Sequence, residues 1–136
     1  GSVVFASDLI RQLTMPVTID FMKASSYGSG TVSSGFINIK QDLGTDIEGK
    51  NVLIIEDIID RGNTLHKLKE LLRGRNPKTI KICTLLDKPS RRVTSVEVEY
   101  TGREIPDEYV VGYGLDHDEI LRNLPYVGIL KREIYE

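Results

Sequence analysis

Apolar residues occur along this chain in two alternating patterns. Residues 52–55 form an uninterrupted Val-Leu-Ile-Ile run rich in β-branched side chains, which is typical of a parallel strand covered on both faces. The leucines at 65, 68, 71 and 72 instead have helical spacing and predict a helix over 65–73, with Gly74 as its stop. A buried strand followed by an amphipathic helix is the repeating unit of α/β proteins.

The remaining apolar runs extend this alternation. Positions Val3, Val4, Phe5, Leu9, Ile10 and Leu13 predict an N-terminal helix. Further strands are predicted over residues 17–22, 33–39, 80–86, 96–100, 109–113 and 126–130. The order predicts an α/β fold with a doubly wound, mostly parallel sheet flanked by helices, whose ligand lies beyond the carboxyl ends of the strands.

One segment departs from both patterns. Residues 23–35 are rich in Gly and Ser, which predicts a flexible loop. The glycine spacing does not match a dinucleotide-binding turn, because the segment leads into a strand rather than a helix. Composition alone leaves open whether this is a plain connection or a functional loop.

Composition and charge narrow the class of protein. A chain of 136 residues with 40% hydrophobic content suits one compact domain over 1–136. Its net charge of -2 argues against a nucleic-acid partner, and its apolar runs are too short to span a membrane. Cys83, within the apolar run 80–86, has no second cysteine to pair with, so we expect a reducing, cytoplasmic location.

The strongest chemical candidate follows the strand at 52–55. The turn Asp60-Arg61-Gly62-Asn63-Thr64 opens the predicted helix, where free backbone N–H groups and the positive dipole end attract a phosphate. Gly62 permits close backbone approach, and Thr64 adds a hydroxyl donor. The Gly-Lys-Ser/Thr ending of nucleotide triphosphate loops is absent, so the turn predicts a monophosphate site rather than ATP hydrolysis.

Two adjacent acids precede that turn. Glu56 and Asp57 can accept hydrogen bonds from the vicinal hydroxyls of a ribose, so phosphate and diol together predict ribose 5-phosphate. The alternative is that Glu56, Asp57 and Asp60 only solvate a strand end and cap a helix. Each acid alone fits that alternative, and the combination favours the sugar phosphate.

Residues 54–64 resemble the 5-phosphoribosyl 1-diphosphate (PRPP) motif of type I phosphoribosyltransferases. Segments 25–28, 85–89 and 106–116 resemble the hypoxanthine-guanine branch, and the resemblance covers almost the whole chain. It implies purine salvage by a glycosyltransferase that transfers the phosphoribosyl group of PRPP to hypoxanthine or guanine, giving IMP or GMP and diphosphate.

The resemblance assigns a purine subsite. It implies that Lys88 donates to the 6-oxo group, that Tyr109 stacks on the base, and that Val110 and Asp116 complete the subsite. An ammonium satisfies a 6-oxo acceptor but opposes the amine of adenine, which argues against transfer to adenine or a pyrimidine. Taken alone, Lys88 would be interpreted as a solvated loop lysine and Tyr109 as a core residue.

The resemblance also assigns the reacting groups. Asp60 is implied as the general base, and Mg²⁺, held by Glu56, Asp57 and Asp116, as the cofactor that neutralises the diphosphate. The Gly/Ser segment is implied as a lid that excludes water. The 5′-phosphate is assigned to Asp60, Arg61, Gly62, Asn63 and Thr64, and the diphosphate to Gly1, Ser2, Ser26, Tyr27 and Arg122.

Several alternatives and expectations remain. Asp116 could instead cap a helix running to Leu121, and Arg122 could be a surface residue. The whole chain could be a nucleotide-sensing regulator of the same fold, although a sensor needs no general base. Family members have a strand and a lysine before the glycine that Gly1 resembles, so we expect an incomplete N-terminal segment and weak PRPP turnover. The resemblance further implies a homodimer or homotetramer.

Overall fold

The computed structural model describes residues 1–26 and 37–136. The elements, in chain order, are α1 (Val3–Ile10), β1 (Lys23–Ser26), β2 (Ile37–Gln41), β3 (Asn51–Ile59), α2 (Asn63–Arg73), β4 (Thr79–Asp87), a 3₁₀ turn (Pro89–Arg91), β5 (Tyr100–Glu104), β6 (Val110–Val111), β7 (Gly128–Ile129) and α3 (Arg132–Tyr135).

A three-stranded parallel sheet in the order β3-β4-β5 forms the centre of the fold. Ile54 and Ile59 of β3 and Ile82 of β4 are buried, because α2 covers this face of the sheet with its leucines. The helical leucines in that core are Leu65, Leu68 and Leu72. The predicted helix at 65–73 and the predicted strands at 52–56 and 80–86 are therefore confirmed, each slightly longer than expected.

An antiparallel hairpin of β1 and β2 packs on the same core. Ser26 pairs with Ile37 in its register, and Ala24 and Ile37 contact the core cluster. The strand predicted at 33–39 is found at Ile37–Gln41. Tyr27 and most of the predicted lid lie outside the described residues.

Two strand predictions are wrong. Residues 17–22 form no strand, and their apolar side chains Val17, Ile19 and Phe21 are exposed; the strand begins at Lys23. Residues 96–99 likewise form no strand, and the strand starts at Tyr100.

The second error has a clear physical cause. The Glu99 carboxylate accepts a hydrogen bond from the Ile82 N–H at 2.6 Å, so a side chain takes the place of a backbone ladder partner on β4. Glu99 is in turn 3.5 Å from the ammonium of Lys69, which is buried on α2. The parallel ladder therefore begins one residue later, with Cys83 opposite Tyr100.

The C-terminal part contains a short antiparallel pair. Val110 of β6 lies opposite Ile129 of β7, so the strands predicted around 109–113 and 126–130 are confirmed as short elements. Cys83 is buried and free, as predicted, and its burial raises the pKa of the thiol. Among the helices described here, none has the length and apolar character needed to cross a membrane.

Candidate functional site

The turn at residues 60–64 links the carboxyl end of β3 to α2. Gly62 precedes the helix with a φ of +86°, and a Cβ there would lie 2.5 Å from the carbonyl oxygen of Thr94. The Arg61 carbonyl accepts hydrogen bonds from Val93 N at 3.0 Å and Thr94 N at 3.1 Å. The turn is thus held by the segment after β4, and only glycine fits its left-handed position.

The start of α2 retains the features of an anion site. Within the described part of the chain no side chain caps this helix, so the first N–H groups stay available to a ligand. The Asn63 side chain bonds the Thr94 hydroxyl, which directs it away from a capping role. The N–H groups at the start of α2 are therefore not taken by a side-chain cap among the described residues, and the phosphate site stays a prediction.

Asp60 begins a chain of alternating charges. Its Oδ1 lies 3.1 Å from Arg91 Nε, and Arg91 Nη1 lies 3.6 Å from Asp107 Oδ2. The other oxygen of Asp107 lies 3.9 Å from Lys88 Nζ. The proposed general base and the proposed purine-selecting lysine are therefore joined through two side chains that sequence reasoning did not assign to the site.

Lys88 is buried, with 8% of its surface exposed. It follows directly after β4, and its backbone N–H donates to the Ile59 carbonyl of β3 at 2.9 Å. The alternative of a solvated loop lysine is wrong, since burial of an ammonium requires a nearby partner such as Asp107. Lys88 and the phosphate turn thus occupy neighbouring strand ends.

Tyr109 lies just before β6 and remains 36% exposed. Its ring stacks on Tyr135 with centroids 4.7 Å apart and planes inclined by 27°. The His117 ring lies nearly perpendicular to the Tyr109 ring, with centroids 5.5 Å apart. Val110, next in the chain, is half-buried within the β6–β7 pair.

Gly1, Asp57 and Arg122 meet at a third position. A Cβ on Gly1 would collide with Asp57 Oδ2 and lie 3.4 Å from Arg122 Nη1. Arg122 also donates to the Gly114 carbonyl at 2.8 Å and pairs with Asp116 at 3.2 Å. Arg122 thus lies partly exposed within a set of polar contacts, and its assignment to the diphosphate stays a prediction.

The loop at 116–121 is not a helix. Asp118 and Glu119 have φ values of +49° and +67°, and Asp116 Oδ2 accepts a hydrogen bond from the Glu119 N–H at 2.9 Å. The alternative in which Asp116 caps a helix running to Leu121 is therefore wrong. Of the other predicted diphosphate residues, Ser2 precedes α1 and Ser26 ends β1.

Glu56 and Asp57 have different electrostatic surroundings. Burial, and then the charge of Asp57, raise the pKa of Glu56 to about 7. Neighbouring carboxylates within the last four residues of β3 suit a hard cation such as Mg²⁺, which takes few protein ligands and keeps waters or substrate oxygens. Among the described residues no group of three or more His, Cys, Asp or Glu forms a closed metal cage, and an open pair fits that mode of binding.

Residues 1–118 match the family model for the phosphoribosyl transferase domain. The chain belongs to this family. Over 135 residues it is 54% identical to the hypoxanthine-guanine phosphoribosyltransferase of Staphylococcus epidermidis. The aligned region covers 99% of this chain and 75% of that relative.

Comparison with solved structures leads to the same family. The chain superposes on a crystal structure of hypoxanthine phosphoribosyltransferase from Staphylococcus aureus with a TM-score of 0.96 at 54% identity, over 100% of this chain and 74% of that one. The chain also superposes on a crystal structure of a hypoxanthine-guanine phosphoribosyltransferase from Bacillus anthracis, with a TM-score of 0.91 at 51% identity. This match covers 96% of this chain and 77% of that one. The predicted fold class and the resemblance to the hypoxanthine-guanine branch are confirmed.

Sequence reasoning did not find four residues that contact the predicted site. Arg91 and Asp107 connect Asp60 to Lys88, and Tyr135 and His117 contact Tyr109. Arg91 lies in a basic loop three residues after Lys88, which is the one local signal that could have pointed to it. Asp107 lies within the segment 106–116 and His117 directly follows it, although neither was assigned a role, whereas Tyr135 is 26 residues from Tyr109.

Proposed function

We propose that this chain transfers the 5-phosphoribosyl group of PRPP to hypoxanthine or guanine, producing IMP or GMP and diphosphate. One observation carries the proposal: the Lys88 N–H bonds the Ile59 carbonyl, which is next to Asp60 in the chain. Lys88, the proposed donor to a 6-oxopurine, and the proposed phosphate turn thus follow neighbouring strands at the same edge of the sheet, where one ligand could contact both. The names and folds of the relatives support the same reaction.

The reaction is a displacement at C1 of the ribose. A purine nitrogen forms the new bond to C1 while the bond from C1 to the diphosphate oxygen breaks, and the electron pair leaves with the diphosphate. Asp60 takes the proton of the purine imidazole ring as a general base. The turn 60–64 holds the 5′-phosphate with backbone N–H groups, so the ribose stays fixed while C1 changes partner.

Mg²⁺ is the proposed cofactor, and when bound it would supply positive charge that favours departure of the diphosphate. Glu56, Asp57 and Asp116 are the residues proposed to hold it. Arg122 adds a fixed positive charge, with Gly1, Ser2, Ser26 and Tyr27 proposed to complete the diphosphate side. We further propose a single catalytic domain over 1–136, assembled as a homodimer or homotetramer and located in the cytoplasm.

Selection among purines is proposed to rest on Lys88. Its ammonium is buried and can donate to a 6-oxo group, whereas the amine of adenine would leave donor facing donor. Tyr109 would stack on the base, and the Val110 backbone and Asp116 would bind its edge. This division assigns base recognition to segments after β4 and sugar recognition to β3 and α2.

A spectrophotometric assay with PRPP and Mg²⁺ tests the proposal. We expect turnover with hypoxanthine or guanine, none with adenine, and loss of activity when EDTA removes the metal. Comparable turnover with adenine would contradict the role of Lys88. Tight IMP binding without turnover of any purine would contradict the enzymatic function and favour a sensor.

A further inference from the structure

Two aromatic side chains from separate parts of the chain contact Tyr109. Tyr135 stacks on one face of its ring, and the His117 ring lies beside it with the two planes inclined by 80°. The Tyr109 hydroxyl lies 3.2 Å from His117 Nδ1. The ring is therefore supported on one face and anchored at its hydroxyl.

The backbone of Tyr109 is fixed by the same C-terminal segment. Its carbonyl accepts a hydrogen bond from the Leu130 N–H at 2.8 Å, and the next residue, Val110, pairs with Ile129. Leu130 is itself buried. The segment from β7 through α3 thus holds both the backbone and the ring of Tyr109 in place.

The Tyr109 side chain is not fully covered by these neighbours, since the residue remains 36% exposed and so can contact a ligand. A flat aromatic base stacks best on a ring whose side-chain torsions are already fixed, because less conformational entropy is lost on binding. Support from a second aromatic ring supplies that fixation and adds favourable ring contact. The arrangement has the form of a preorganised stacking platform.

We infer that Tyr135 and His117 are positioning residues for the purine base, acting through Tyr109. The inference rests on the proposed function, since it identifies the ligand of the platform as the base of the nucleotide. Neither residue need touch the ligand. Their effect is therefore confined to ligands that carry a base.

Calorimetric titration of the full chain with IMP and with ribose 5-phosphate tests the inference. Tyr135→Leu removes the ring and should weaken IMP binding about three- to tenfold, while Tyr135→Phe keeps the ring and should bind IMP as the unmodified chain does. Affinity for ribose 5-phosphate, which lacks a base, should stay the same in both variants. Tyr100→Leu, at an exposed tyrosine of β5, is the matched control and should change neither affinity.

A second variant tests the hydroxyl contact. Tyr109→Phe removes only the oxygen that faces His117 and should weaken IMP binding about two- to fivefold. If Tyr135→Leu does not fold, as judged by thermal unfolding, Tyr135→Met replaces it with the same expectation. Unchanged IMP affinity in Tyr109→Phe would remove His117 from the role.

The outcomes separate this inference from the proposed function. The role of Tyr135 would be overturned if Tyr135→Leu bound IMP as tightly as the unmodified chain or more tightly. It would also be overturned if Tyr135→Leu and Tyr135→Phe weakened IMP binding equally. An unmodified chain that binds IMP no more tightly than ribose 5-phosphate would also overturn it. IMP binding without transfer from PRPP would instead contradict the proposed reaction and leave the comparison of affinities intact.

Discussion

Arg91 and Asp60 form an ion pair at the phosphate turn, with Nε 3.1 Å from Oδ1. The hydrogen bond and charge of Asp60, with the charge of Asp107, raise the pKa of the Arg91 guanidinium. The pair fixes one carboxylate oxygen of Asp60, and the other accepts no hydrogen bond from the residues that the structure describes. As the proposed general base, Asp60 would then need no reorientation before it accepts a proton.

Asp60→Asn tests the base itself. An amide keeps the shape of the side chain but cannot take a proton, so turnover should fall by about two or more orders of magnitude, with PRPP binding largely kept. Steady-state kinetics with hypoxanthine, alongside PRPP titration, measure both quantities. Asp46→Asn, at an exposed loop position, is the control, and equal turnover in Asp60→Asn would remove Asp60 from the mechanism.

Arg91→Gln tests the orientation of that base. Losing the guanidinium frees the Asp60 carboxylate to rotate, so kcat should fall about three- to tenfold while KM for PRPP stays within twofold. Arg91→Lys should recover part of the loss, because it keeps a cation without the fork geometry. Arg103→Gln removes an arginine from exposed β5 and should leave kcat unchanged; a similar decrease there would show that the effect is not specific to Arg91.

Lys88→Gln tests the choice of purine. A neutral amide can donate to a 6-oxo group or accept from the adenine amine, so the ratio of kcat/KM for hypoxanthine over adenine should fall about 10- to 100-fold. Parallel assays with the two bases give the ratio directly. Lys81→Gln, at an exposed position of the same strand, should keep the original ratio, and an unchanged ratio in Lys88→Gln would place selection elsewhere.

Gly62→Ala and Gly49→Ala form a matched pair for stability. Both glycines have positive φ, but a Cβ on Gly49 meets nothing within 4 Å, whereas one on Gly62 meets the Thr94 carbonyl oxygen at 2.5 Å. Gly49→Ala should therefore lower the free energy of unfolding by about 1 kcal/mol. Gly62→Ala should lower it by a further 1 to 3 kcal/mol or so, and equal losses in urea unfolding would show that the turn is not tightly packed.

Glu56 should make stability depend on pH. Its pKa in the folded chain is about 7, above the ordinary value of 4.5, because of burial and the charge of Asp57. Between these values the unfolded chain loses the proton and the folded chain keeps it, so the free energy of unfolding should fall by about 1 to 3 kcal/mol as the pH rises from 4.5 to 7. Glu56→Gln should flatten this slope, and exposed Glu48→Gln should not.

The sequence predicts the parallel sheet well because local signals coincide there. Three of the four residues 52–55 are β-branched and the run lacks polar alternation, and β3, α2 and β4 follow as expected. Residues 17–22 show the other strand pattern, with apolar residues at alternate positions, but have no strand partner among the described residues. Strand pairing is a long-range property, so an apolar run alone does not establish it.

The candidate site is predicted where its residues are contiguous, and missed where they are not. The five residues of the turn 60–64 are consecutive, so the pattern that predicts a phosphate site can be recognised directly in the sequence. Asp107 and Tyr135 enter the site only because β5 and β7 bring their segments back to it, at 3.9 Å from Lys88 and stacked on Tyr109. No spacing along the sequence reports those contacts.

The register of β3 and β4 has a final consequence. Ile59 lies opposite Asp87, so Asp60 and Lys88 are the next residues on strands about 4.8 Å apart. A one-residue slip would move one of them by about 3.3 Å and turn its side chain to the other face. The register of the sheet therefore sets the position of Asp60 relative to Lys88. An insertion inside either strand would change the length of ligand that fits between these two residues, whereas an insertion in the loop at 44–50 would leave that length unchanged.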